Sequence, residues 1–161
     1  TRENLWAFDE IVEAGYLYDS SVFPARHGHG GVPGARKRPW AIQCPAGTLT
    51  EFPVSVVETP MGPQCLFGGG YLRLAPLGLT MRMAERVRKA GRSVIWYIHP
   101  REIDPHHPRL PMPLHRHFRS YVNLRGTRKK LRKILRSAQF ETMGALARQI
   151  SVTSELVAQR A

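Results

Sequence analysis

Five consecutive apolar residues, Val94-Ile95-Trp96-Tyr97-Ile98, follow an amphipathic segment that stops at a glycine, and this junction restricts the fold more than any other feature of the chain. The run is the longest apolar stretch present, far short of the roughly 20 residues a membrane helix needs. An unbroken apolar run preceded by a helix reads as a strand buried on both faces, as in a parallel sheet. The preceding helix is expected from Pro76 to about Ala90, with Leu79, Met83 and Val87 on one face and Gly91 as its stop. The same order occurs at the start of the chain. Residues Thr1 to Ala14 predict a helix with Leu5, Phe8, Ile11 and Val12 on one face, Thr1 as its cap and Gly15 as its stop. A short strand, Tyr16-Leu17-Tyr18, then closes on Asp19-Ser20-Ser21. Helix, glycine, strand, used twice, predicts the α/β class.

Between these units the pattern changes. From Pro24 to Gly47 the chain is rich in Gly, Pro, His and Arg with no period, which predicts a long loop that packs no core. Leu49 to Val57 recovers alternation, with Phe52, Val54 and Val56 on one face and Pro53 marking an edge or bulge. Cys65-Leu66-Phe67 is a second short run that leads into Gly68-Gly69-Gly70 and Tyr71-Leu72-Arg73-Leu74. Arg101 to Pro113 predicts another polar loop. A last helix is expected over Thr127 to Ala138, with Leu131, Ile134, Leu135 and Ala138 facing inward. The tail from Gly144 onward is weakly amphipathic, with no visible anchor. No repeat occurs.

Of the 161 residues 42% are hydrophobic, enough for one domain with a core and too many for a disordered polymer. Twenty-four Lys and Arg against 12 Asp and Glu leave a net charge of +12, which points to anionic partners. Arg125, Arg128, Lys129, Lys130, Arg132, Lys133 and Arg136 concentrate cations on the last helix, within residues 125–136. This pattern suits an anionic membrane surface or an acidic polymer, or an ordinary solvated face. No helix-turn-helix, zinc finger or aromatic platform accompanies it, so nucleic acid is not the expected partner. Cys44 and Cys65 make neither a disulfide framework nor a zinc site, consistent with free thiols in a reducing compartment.

Reactive groups in parallel α/β folds gather where strands end. His99 follows the Val94–Ile98 run and Asp19 follows Tyr16–Tyr18. Histidine there suits general acid–base work, because it changes charge between roughly pH 5 and 8, and it equally suits a plain strand cap. Asp19 fits a site or an Asx-turn. Seven histidines raise the question of a metal. Their spacings, His27-x-His29, His106-His107 and His115-x-His117, put no two ligands on one helical face, so no metal site is expected from them. The Gly68–Gly70 triplet lacks the residues of a P-loop or dinucleotide fingerprint and instead suggests a close backbone approach beneath a substrate, or a tight turn.

Read in order, LWAFDEIVEAGYLYDSSVFP, EFPVSVVE, GGGYLRLAP, VIWYIHPREIDP and FRSYVNLRGTRKKLRKIL resemble the C-terminal half of a polysaccharide deacetylase of the carbohydrate esterase family 4 type. More narrowly, they are similar to the deacetylases found beside exopolysaccharide and exosortase gene clusters of Gram-negative bacteria. The resemblance implies part of a distorted (β/α) barrel that removes N-acetyl groups from amino sugars in a polysaccharide, with a divalent metal, usually zinc, as cofactor. It implies that His99 is the general acid that protonates the departing amine. Asp19, Ser20, His27, Tyr71 and Glu102 would shape the substrate groove. The family's Thr-Phe-Asp-Asp, His-x-x-x-His and Arg-x-Pro motifs are not in this sequence, and Arg101 stands where these relatives commonly carry Trp.

The expectation is therefore that residues 1–140 form the C-terminal half of such a domain and 141–161 a tail. This half would hold the acid but neither the metal ligands nor the base, and would be inactive alone. It would work in the cytoplasm or at a membrane. The alternative is a non-catalytic basic α/β module that grips an acidic polymer or an anionic membrane surface.

Overall fold

A computed structural model describes residues 2–26 and 30–158; Thr1, expected as a helix cap, and His27 lie outside them. The described residues form a mixed α/β structure with helices and two small sheets. A single 3-10 turn, Arg2–Asn4, precedes α1 (Ala7–Glu13), which ends as expected at Gly15 in the left-handed region. Strand β1 (Tyr18–Asp19) is shorter than predicted and starts at the end of the apolar run. β2 (Trp40–Cys44) and β3 (Gly47–Glu51) form an antiparallel hairpin, and β1 pairs parallel with β3, giving the order β1-β3-β2.

The expected strand Leu49–Val57 is divided, for a reason that lies in its proline. Thr50, Phe52 and Val54 donate their N–H groups to Leu17, Asp19 and Val22 on the β1 side. The intervening residues face β2, and Pro53 has no N–H to offer there. Pairing with β2 accordingly stops at Trp40–Glu51. Residues 51–53 and 55–57 are all buried, so this segment is covered on both faces rather than on one. The chain resumes as β4 (Val57–Thr59), antiparallel to β5 (Gly62–Gln64). Cys65–Phe67, the second short run, lies just beyond it.

The Pro24–Gly47 loop is more structured than its composition predicts. It contains β2, buries Pro24 and Ala25, and sends Arg38 to the end of α3 (Leu77–Lys89). There the guanidinium donates to Ala90 O (2.8 Å) and Gly91 O (2.6 Å), occupying carbonyls the helix leaves unpaired. α3 closes at Gly91, φ 64°, as expected.

The Val94–Ile98 run corrects the expectation most. It is extended but not a ladder strand, and its residues are half-buried or, at Tyr97, exposed. Backbone groups hold it from two sides: Ile95 N–H donates to Ser55 Oγ (2.8 Å) and Tyr97 N–H to Phe67 O (3.1 Å). A single parallel bridge joins Gly68 to Tyr97. Its apolar side chains cover α3 rather than fill a sheet: Val94 and Trp96, with Leu66, pack on a core of Val57, Phe67, Met83, Ala84 and Val87.

Helix α2 (Gly69–Leu74) starts inside the glycine triplet, with Gly68 as its N-cap. The predicted polar loop 101–113 begins inside α4 (Pro100–Ile103), and α5 (Leu114–Tyr121) follows it. The last expected helix starts earlier, as α6 (Leu124–Leu135), with Ile134 buried but Leu135 exposed. The tail is helical, α7 (Met143–Ala158), and it has an anchor, since it packs against β1 with Gly144 close to the Tyr18 ring.

Candidate active site

His99 sits where the extended run meets α4, and its position is set by a residue three places on. Glu102, at the third position of α4, accepts the His99 N–H on Oε2 (3.1 Å), while its own N–H donates to His99 O (2.9 Å). Glu102 is 1% exposed. A buried carboxylate needs a cation, and Arg73 of α2 supplies it, its Nε 3.4 Å from Glu102 Oε1. The terminal nitrogens of Arg73 donate instead to Ser120 O (2.6 Å) and Arg119 O (2.7 Å) at the end of α5. Burial lowers the Arg73 pKa and the Glu102 charge opposes that shift. The His99 ring is outside this network, exposed, its plane nearly perpendicular to Tyr97 at 4.6 Å between centroids.

The glycine triplet brings α2 to this place. A Cβ on Gly68 would lie 2.0 Å from Tyr97 O, so only glycine permits the approach that aligns Phe67–Gly68 with the run leading to His99. The close approach at Gly68 is thus to the backbone of Tyr97, where the sequence suggested a substrate. The other end of α2 is closed from α6. Lys130 Nζ donates to Leu72 O (3.0 Å), Arg73 O (2.9 Å) and Ala75 O (2.7 Å), and Asn123 Nδ2 adds a fourth bond to Arg73 O (2.7 Å). Lys130 is therefore a structural cation rather than part of a solvated face, and burial lowers its pKa.

A second group lies at the end of β1. Asp19 and Glu51 are direct partners across the parallel pair β1–β3. Asp19 Oδ2 accepts from the Ser21 N–H and hydroxyl, and Ser20 Oγ donates to Phe52 O (2.7 Å). Glu51 is 0% exposed, and Val22 N–H donates to its Oε1 (3.0 Å). Among the described residues no donor reaches its Oε2. Burial pushes the Glu51 carboxyl up to about 8; the Val22 bond opposes this, and the neighbouring Asp19 charge adds to it. An open groove of about 520 Å³ runs past Asp19 and Ser20, lined also by Gly15–Tyr18 and by Met143 of α7.

The expected site residues thus divide. His99 stands with Glu102 and Arg73. Asp19 and Ser20 stand with Glu51, and no hydrogen bond or ion pair among the described residues joins the two groups. Tyr71, 45% exposed on α2, is open to a ligand. Glu102 is corrected from groove wall to support, because a side chain with 1% exposure cannot touch a polymer. His27 lies outside the described residues. Sequence reasoning missed Arg73, Glu51 and Lys130. The first two had a signal: a lone charge inside an apolar stretch, which folding must either pair or neutralise. Among the described residues no three His, Cys, Asp or Glu side chains converge as a metal site would require, so these residues alone do not fit a divalent ion.

Residues 20–148 match a family model described as Domain of unknown function (DUF3473). No curated protein and no solved structure matches the chain.

Proposed function

The chain belongs to the DUF3473 family, and on that premise we propose that it contributes the acid half of a deacetylase site acting on N-acetylated amino sugars of a polysaccharide. The observation that carries this reading is the mounting of His99: an exposed imidazole whose backbone is fixed by a buried, ion-paired carboxylate. Such a mount holds a proton donor in place without occupying its ring, as general acid catalysis requires. The order of motifs resembling the polysaccharide deacetylases supports the same reading. The parallel β1–β3 pair and the parallel Gly68–Tyr97 bridge are what favour a piece of a distorted (β/α) barrel wall.

In the proposed reaction water adds to the acetyl carbonyl carbon and gives up a proton to a general base that lies outside this half of the site. The C–N bond then breaks with its electron pair leaving on nitrogen, His99 gives that nitrogen a proton, and acetate and a free amine depart. A divalent metal, zinc in the form the resemblance implies, would polarise the carbonyl; the described residues do not form its site. This chain's own contribution is the acid, its Glu102–Arg73 support, and a groove surface that includes Asp19, Ser20 and Tyr71.

The test is His99→Ala in the full-length protein, assayed by acetate release from an N-acetylated oligosaccharide. We expect kcat to fall roughly 10²–10⁴-fold with KM little changed. A kcat near that of the unmodified protein would make His99 a strand cap and sink the proposal.

A further inference from the structure

From Pro105 to Phe140 the sequence carries ten Lys and Arg and no Asp or Glu. The structure sorts these cations in a way the sequence does not. At 3.6 residues per turn the exposed cations of α6, Arg125, Arg128, Lys129, Arg132, Lys133 and Arg136, share one face, opposite the stripe of Leu124, Thr127, Leu131 and Ile134. None of them takes part in an ion pair of the described residues, which are Lys37–Glu58, Arg73–Glu102 and Arg88–Glu85.

Directly before this face, joined to it by Val122 and Asn123, lies α5. Leu114 is 89% exposed and Phe118 58%. They fall at helical spacing with Tyr121, and Tyr121 pins the preceding segment to the same side of the helix. Leu110 N–H donates to Tyr121 Oη (2.9 Å), and the Arg109 guanidinium stacks over the ring at 4.7 Å. Leu110, also exposed, lies in the segment held there, so three exposed apolar side chains, Leu110, Leu114 and Phe118, belong to this part of the chain. Arg109, stacked on Tyr121, is exposed, as are Arg116 and Arg119 on α5.

A soluble polyanion would use the cations and has no use for three solvated aliphatic and aromatic side chains. A surface that is negative outside and apolar beneath uses both. We infer that α5 and α6 form a docking surface for an anionic lipid bilayer: the α6 face and the α5 arginines lie against the headgroups, and Leu110, Leu114 and Phe118 enter the acyl boundary. The attraction is complementary in charge over the whole segment, because no carboxylate interrupts it.

The test is flotation of the protein with vesicles of phosphatidylcholine containing about one third phosphatidylglycerol, beside pure phosphatidylcholine vesicles. Binding is expected only to the anionic vesicles. Leu114→Ser with Phe118→Ser should weaken it roughly tenfold or more, and Phe118→Trp should at least preserve it. Both residues are exposed, so circular dichroism of the variants should match that of the unmodified protein. Arg128→Gln with Arg132→Gln should weaken binding most at low salt. Vesicle binding untouched by the serine pair, or heparin bound with the vesicles ignored, would assign the face to a polyanion and overturn the inference. Neither readout involves substrate turnover, so failure here leaves the deacetylase reading standing, and the reverse.

Discussion

Replacing Glu51 by Gln should stabilise this protein in alkaline solution and leave it nearly unchanged in acid. Glu51 ends the central strand of the three-stranded sheet, wholly buried, with Val22 N–H on one oxygen and Asp19 beside it. Its carboxyl is raised from the ordinary 4.5 to about 8, chiefly by burial. Below pH 4.5 folded and unfolded chains both hold the proton and there is no penalty. Between 4.5 and 8 the folded chain keeps a proton the unfolded chain has released, so stability falls as pH rises; above 8 the loss is complete. At roughly 1.4 kcal/mol per unit, this displacement is worth about 4–5 kcal/mol, a large share of a typical domain's 5–15 kcal/mol. A glutamine carries no such dependence. Its carbonyl can accept from Val22, and its amide can donate to the Asp19 carboxyl where Glu51 Oε2 now finds no donor. Urea unfolding of both proteins at pH 5 and pH 9 measures the difference. We expect stabilities equal to within about 1 kcal/mol at pH 5 and a gain of roughly 3–5 kcal/mol for Glu51→Gln at pH 9. A variant less stable at both values, or parallel pH profiles, would refute the assignment of a raised pKa to Glu51.

Other substitutions separate the supports of the His99 region. Gly68→Ala forces a methyl against Tyr97 O and should cost about 2–3 kcal/mol or more, measured by urea unfolding. Lys130→Ala removes three bonds from the end of α2 and should cost about 1–3 kcal/mol, whereas Lys129→Ala, on the exposed face, should stay within about 0.5 kcal/mol. Arg73→Met leaves Glu102 buried without its cation and should cost about 3–5 kcal/mol; adding Glu102→Gln should recover much of that, and a double-mutant cycle showing simple additivity would contradict direct pairing.

What the sequence determined by itself is local and periodic. Helix α3, the glycine stops at 15 and 91, and the opposed apolar and basic faces of α6 all follow from spacing of 3.6 residues and from glycine's freedom at φ > 0. The position of His99 at the end of an extended apolar run was legible from the unbroken run Val94–Ile98 itself. The tertiary structure decided whatever depends on a distant partner. The Val94–Ile98 run reads as a sheet core, yet its hydrogen bonds go to Ser55 and Phe67, and its apolar side chains serve α3. Lys130 differs from Lys129 only because carbonyls 55 to 58 residues away converge on it. Glu102 became a support rather than a groove residue because Arg73 reaches it from α2, and Glu51 acquired its raised pKa because folding buries it, with Asp19 beside it. Periodicity fixes which face of an element turns inward; the partner waiting there, and hence the charge state and role of a buried polar group, is set only when remote segments meet.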